Sequence, residues 1–409
     1  MSDQQDEKRW PKLYAMSNSG LPSREESALT GQNNAHLMTP LPIKVGVNYP
    51  WRDYACDIGI LPRGWRDGHE RAPWRRNIAT ELAHLKDIGI FAVRWFLFAD
   101  GLCLESKNPS KKAQEFEEKF ALDASSKYYA SAADDFAVLL DRFREADLLM
   151  MPVIADFLMC HPAGIMEKPE GLVVKQGRQN IVTKPEQRKL FRKHLLAPIL
   201  KVAAQHKESI YAIDIFNEPE LCFGDGDARN SSIVDFISEC ANDIHQKKLK
   251  ATVGFQRSSS FTTAPWARCV PGLDLLQYHY YPYNQSVQLK SHGTYAPGLG
   301  KAAGERQCVV GEFATRAAIE DWPALGKAEQ TVWNRLHVLA ELGYPAVFPW
   351  SIYAEPSNDE DKDRRTCWNV AIEEQIKSYV SQKKSNHPPQ VTLEQCKNDC
   401  SKHASTPSQ

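Results

Sequence analysis

No stretch of this chain is apolar for long enough to cross a membrane. Its first twenty residues, MSDQQDEKRWPKLYAMSNSG, hold no apolar core of a secretory signal. The expected location is therefore the cytoplasm, with reduced thiols. Neither sign of charge is in real excess: 50 Lys and Arg stand against 51 Asp and Glu, a formal net charge of −1. That balance gives no reason to expect nucleic acid or an anionic membrane surface as a partner. The 12 His and 10 Cys form no HExxH motif and no paired CxxC, so no metal and no cofactor is expected. Cys396 and Cys400 come nearest, in a polar tail, where a metal or redox device is the sharper reading and a solvated tail the plainer one. Cys222, Cys240, Cys269 and Cys308 lie in or beside apolar segments, as small buried hydrophobes do. A GxGxxG after the first strand is also missing. Gly224-Asp225-Gly226 is the nearest glycine pair, without a fitting helix start, which argues against a dinucleotide-binding open sheet.

What is present is an alternation of strand-like and helix-like segments. Ile43–Tyr49 reads as a first strand. Ile78, Leu82 and Leu85 recur at helical spacing within 76–87, and Gly89 closes that helix. Ile90–Phe98 is apolar almost throughout, as a strand covered on both faces is, and Arg94 alone interrupts it. Residues 105–126 read as a polar loop with some helical content. Ala132, Phe136, Leu139, Leu140 and Phe143 mark an amphipathic helix. Leu148–Ala155 is a third strand, with Asp156 at its end. Residues 159–185 are too many for a bare connector and are expected to shape a site. A helix is predicted over 186–205, kinked at Pro198. Strands follow at 211–218, 251–255, 273–279, 307–312 and 345–350, with helices at 233–246, 328–342 and 367–382. Eight strands in such alternation predict an α/β fold with a parallel sheet closed into a (β/α)8 TIM barrel, one domain over 42–382. A polar arm, 1–41, and a polar tail, 383–409, flank it.

In such a barrel the C-terminal strand ends carry the site. Tyr211–Glu220, YAIDIFNEPE, runs from an apolar strand into Asn217-Glu218-Pro219. Pro219 has no N–H for the ladder and biases Glu218 away from helix, so the chain leaves the sheet there and presents a carboxylate. Glu312 holds the same place on the seventh strand. Either residue alone is as well explained as a polar strand-end group. Together they point into one mouth, and two carboxyls are what cleavage of a glycosidic bond needs. One gives a proton to the leaving oxygen; the other, ionised, attacks or stabilises the sugar carbon. Asn217 can donate to a sugar 2-hydroxyl. Arg94 needs a carboxylate partner in its apolar strand. Beside Glu312 it would hold that group ionised; a salt bridge to another acid is the alternative. Trp350, ending the eighth strand, offers a flat face to a sugar ring or packs in the core. Asn48, Trp51 and Asp156 are further cleft candidates, or loop packing.

These motifs, in this order, resemble those of the clan A retaining glycoside hydrolases, closest to the family 5 cellulases and mannanases and next to family 39. The family's acid/base motif, an apolar strand ending Asn-Glu-Pro, matches Ile215–Pro219. The resemblance implies Glu218 as acid/base and Glu312, in Val309–Phe313, as nucleophile. Arg94 matches the family's strand-two arginine, His279-Tyr280-Tyr281 its His-x-Tyr after strand six, and Trp350 its strand-eight tryptophan. By that match Tyr281 hydrogen-bonds the nucleophile and His279 orients the site. Ile213 stands where the family often has Trp. The strand-three histidine is not in register; Asp156 occupies that strand end, with His161 five residues on.

The implied reaction is hydrolysis of a β-linked oligo- or polysaccharide by double displacement. A non-catalytic carbohydrate-binding barrel would keep the aromatics and has no use for the acid pair. A transglycosylase would use the same residues. The motifs leave glucan, mannan and mixed exopolysaccharide open, and endo against exo action.

Overall fold

The computed structural model describes residues 43–51, 58–59, 78–99, 101, 103–126, 128–168, 171–223, 228–256, 270, 272–280, 306–315, 331–341, 343–352 and 368–381. The polar arm and tail, Cys396 and Cys400, and Tyr281 lie outside them.

The predicted strands are present, and they form one parallel sheet. In chain order its members are β1 (Lys44–Val45), β2 (Val47–Asn48), β3 (Ala92–Phe96), β4 (Leu149–Asp156), β7 (Ile213–Asn217), β8 (Ala251–Phe255), β9 (Leu275–Tyr280), β10 (Gln307–Ala314) and β11 (Ala346–Trp350). The spatial order is β1-β11-β10-β9-β8-β7-β4-β3-β2. Both ends of that order belong to one segment. Lys44–Val45 pairs with β11 and Val47–Asn48 with β3, so the first strand closes the barrel and is split at Gly46. A Cβ at Gly46 would lie 2.3 Å from the Phe348 ring and 2.9 Å from the Ala92 carbonyl oxygen, so only glycine fits the seam.

Strand alternation sorts residues into an inner and an outer face. Val93 and Trp95 face outward into the main core against the helices. Between them and beyond, Ala92, Arg94 and Phe96 face the barrel axis. The axis is filled in layers. Ala92, Met151, Val309, Ala346 and Phe348 plug the bottom. Buried polar groups, Asn48, Arg94, Asp214, Gln277 and His279 among them, form the middle. Trp51, Phe96, Ala99 and Val153, with Trp350 against them, line the top.

Two strands depart from simple alternation. In β7 the pairing with β8 shifts register between Asp214 and Asn217; in β10 the pairing with β9 shifts between Val310 and Glu312. In β10, Val310 and Phe313 both face the outer core. The extra residue between them turns Glu312, not its neighbours, toward the axis. Strand seven was expected to end at Glu312. It runs on to Ala314, because Phe313 and Ala314 find partners in Pro349 and Trp350 of β11.

The two long segments above the mouth are folded, not bare. Residues 105–126 hold a helix, Ala113–Lys119, and a bridge between Ser106 and Leu122. Residues 159–185 hold an antiparallel hairpin of β5 (Gly164–Lys168) and β6 (Gly171–Lys175), then a helical turn, Asn180–Thr183. The segments are tied together: Glu117 accepts from the Ala163 amide at 2.9 Å and from Gln179 at 3.0 Å, and Asn180 donates to the Phe120 carbonyl at 3.0 Å. The helix predicted over 186–205 is interrupted by a π-turn, Arg192–Leu196, rather than kinked at Pro198 alone. Proline at 198 cannot donate to the carbonyl of His194, and the wider turn upstream absorbs that loss.

Candidate active site

Arg94 is the hub of the polar layer. It is fully buried on β3, and its guanidinium donates to four side chains. Nε reaches Asp214 Oδ2 at 2.9 Å, and Nη1 reaches Glu312 Oε1 at 2.6 Å and Asn48 Oδ1 at 3.0 Å. Nη2 reaches Asn217 Oδ1 at 2.7 Å. Burial works against the charge, but Asp214 and Glu312 outweigh it and hold the pKa above its ordinary value. Arg94 thus meets both of the partners foreseen for it, Glu312 and another acid. That acid, Asp214, is tied in turn by Gln277 Nε2 at 2.8 Å and by the Gly254 amide at 3.1 Å. Asp214, Gln277 and Gly254 were not singled out from the sequence. A lone charged residue in an apolar strand, the signal that marked Arg94, also marks Asp214.

Glu218 follows β7 with φ of +49°, in the left-handed region that non-glycine residues rarely adopt. Its amide donates to the Gly254 carbonyl at 2.7 Å, which holds that turn. Its carboxylate meets His279: Nδ1 lies 2.7 Å from Glu218 Oε1 and 3.4 Å from Glu312 Oε2. One ligand atom each from Glu218, His279 and Glu312 fall within 4.8 Å of one another. His279 is buried, which lowers its pKa to about 4 despite the pull of Glu312, so the ring is neutral at ordinary pH. Its Nε2 finds no partner among the described residues and abuts Gly254, where a Cβ would lie 2.9 Å away. Among the described residues these three are the one group spaced to share a metal ion. The Arg94 guanidinium, already on Glu312, puts a positive charge where an ion would bring another.

The remaining candidates divide into two sets. Asn217 and Asp156 face each other across β7 and β4, with Asn217 Nδ2 donating to Asp156 Oδ2 at 2.8 Å. Asn48 is fully buried and donates to the Gly311 and Phe348 carbonyls at 2.9 and 3.0 Å, so it ties the first strand to β10 and β11. Trp350 is partly exposed at the mouth, edge-on to Trp51 at 6.5 Å and to Phe96 at 6.1 Å. Trp51 is 9% exposed and packs as that tryptophan's support. Tyr281 follows β9 outside the described residues.

Neither a protein-family model nor a curated protein sequence matches the chain. Solved structures do. The β-mannanase of the blue mussel Mytilus edulis aligns with a TM-score of 0.56 at 14% identity, over 85% of this chain and 93% of its own. The β-1,4-mannanase of the sea hare Aplysia kurodai aligns at 0.55 and 19% identity, over 89% and 99%. A glycoside hydrolase family 5 mannosidase from Rhizomucor miehei aligns at 0.52 and 15% identity, over 82% and 91%. The chain shares their (β/α)8 fold.

Proposed function

We propose that the protein is a retaining glycoside hydrolase acting on a β-linked glycan, with a mannan-type polymer the favoured substrate. The observation that carries this reading is the convergence of Glu218 and Glu312 on one imidazole, their nearest oxygens within 4.8 Å. A retaining pair stands about 5–5.5 Å apart, whereas an inverting pair needs about 6.5–9.5 Å to admit a water. The mannanase and mannosidase neighbours favour mannan among the glycans the motifs leave open.

The roles follow from the charges nearby. Arg94 on Glu312 stabilises an anion there, which suits the nucleophile. Glu218 faces a neutral imidazole, which suits a group that must carry and return a proton. Glu312 attacks the anomeric carbon while Glu218 protonates the departing glycosidic oxygen, leaving a sugar ester on Glu312. Glu218 then takes a proton from water, which displaces Glu312 and releases the sugar with its configuration retained. Trp350, partly exposed at the barrel mouth, supplies an apolar face for the ring. A barrel that only bound sugar would have no need to bury an arginine against one of two converging carboxylates.

The test is turnover of a panel of β-mannans, β-glucans and aryl β-glycosides, with the product anomer read by proton NMR. Glu312→Gln and Glu218→Gln should each lower kcat by roughly a thousandfold or more while glycan binding survives. An inverted product, or a Glu312→Gln variant of undiminished turnover, would sink the reading.

A further inference from the structure

Asp156 stands at the end of β4 where a sugar-contacting residue was expected, yet both of its oxygens are already engaged. Oδ1 accepts from the Leu158 amide at 2.7 Å, capping the turn Phe157–Cys160. Oδ2 accepts from Asn217 Nδ2 at 2.8 Å. The residue is 2% exposed. A group so committed has little left to offer a substrate directly.

Its partner is more informative. An arginine has only donors, so the Arg94 Nη2 contact at 2.7 Å compels Asn217 to turn its carbonyl oxygen that way. The NH2 end must then face Asp156, and one of its two hydrogens is used there. The other finds no acceptor among the described residues. Two fixed contacts at opposite ends of a planar amide leave it no freedom to rotate, so the direction of that last N–H is set by Arg94 and Asp156 together. From this geometry we infer that Asp156 is a positioning residue: it holds Asn217 so that its free N–H meets the hydroxyl beside the anomeric carbon of the bound sugar. The inference rests on the glycosidase reading above.

A carboxyl suits this task better than an amide would. It presents two acceptors to two obligate donors, whereas an asparagine presents one acceptor and one clashing donor. Burial raises the Asp156 pKa well above the usual carboxylate range, the Leu158 amide and Asn217 oppose that rise, and the charges of Glu218 and Glu312 add to it. The Leu158 amide and the Asn217 NH2 both favour the ionised form, which offers an acceptor to each, against that burial.

The experiment compares parent, Asp156→Asn, Asn217→Ala and the double variant on two aryl β-glycosides, one with and one without the 2-hydroxyl. The quantity read is the ratio of kcat/KM between the two. We expect that ratio to fall about tenfold or more in Asn217→Ala and by a similar factor in Asp156→Asn, with no further fall in the double variant. Activity on the 2-deoxy glycoside should fall by a clearly smaller factor. An equal loss on both glycosides in Asp156→Asn, or additive effects in the double variant, overturns the inference and makes Asp156 merely structural. If the parent turns over neither glycoside nor any β-glycan, the glycosidase reading fails first, a result distinct from an unchanged ratio. A readout without substrate uses protein labelled with 15N-asparagine. The Asn217 side-chain amide should be protected from exchange in the parent and lose that protection in Asp156→Ser; protection retained in a folded variant also overturns the inference.

Discussion

At the scale of single residues, the site is governed by one cation shared among several acceptors. Arg94 serves Asp214, Glu312, Asn48 and Asn217 through three nitrogens in a rigid fork. Lysine offers a point charge and cannot span them. Arg94→Lys should therefore lower stability by about 3 kcal/mol, because breaking a buried ion pair leaves an uncompensated charge, and urea denaturation would measure it. Activity should fall far more than stability implies, since Glu312 and Asn217 both lose their anchor; a variant of near-parental kcat would contradict this account. His279 makes a pH-dependent prediction. Its pKa drops from 6.5 to about 4 in the folded protein, through burial above all. Between those values the unfolded chain takes up a proton that the folded one refuses. Its contribution is thus complete above pH 6.5 and is lost as pH falls toward 4, a span worth about 3 kcal/mol at most. The stability difference between the parent and His279→Gln should narrow over that interval, and a difference that stayed constant in denaturant titrations at pH 7 and 4.5 would refute it.

At the scale of elements, bulges and insertions do what regular strands cannot. The shift in β10 turns Glu312 inward, and the shift in β7 brings Asp214 and Asn217 to the same side of their strand, both within reach of Arg94. The hairpin β5–β6 hangs on Arg178. That side chain stacks on Phe116 at 4.7 Å and donates to the Val174, Gln176 and Leu104 carbonyls, joining the hairpin to the segment after β3. Arg178→Ala should release the hairpin while leaving the barrel intact. Limited proteolysis should then cut within 163–178 much faster than in the parent, with a small change in the main thermal transition. Equal loss of both would mean that the hairpin and the barrel unfold as one unit.

At the scale of the whole molecule, closure of the sheet decides stability. A closed barrel leaves no edge strand, and here both sides of the seam are made by the five residues Lys44–Asn48 around Gly46. Gly46→Ala would press a methyl against the Phe348 ring and the Ala92 carbonyl. A ring can yield and a backbone carbonyl cannot, so the variant should lose about 3 kcal/mol or more. Adding Phe348→Leu should restore only part of that loss, read as the shift in denaturation midpoint. Full restoration would place the whole conflict in the side chain.

Much of this molecule is legible in the sequence because its signals are local. Apolar runs of strand length, helical spacing such as Ile78, Leu82 and Leu85, and Asn217-Glu218-Pro219 at a strand end are set by neighbours along the chain, and they sufficed for the barrel and for the places of Glu218 and Glu312 at its strand ends. Bulges are not visible in that way, since an extra residue in β10 is defined only by its pairing with β9. Nor is the sharing of Arg94, whose acceptors lie on strands far away in sequence and are chosen by barrel geometry. Asp156 shows the limit most clearly. Its position at a strand end was readable, and its use was not, because the Asn217 hydrogen bond that occupies its second oxygen depends on where β7 comes to lie. Sequence by itself determined which groups could do chemistry; the tertiary structure decided which of them face one another, because hydrogen bonds select by distance and direction in space.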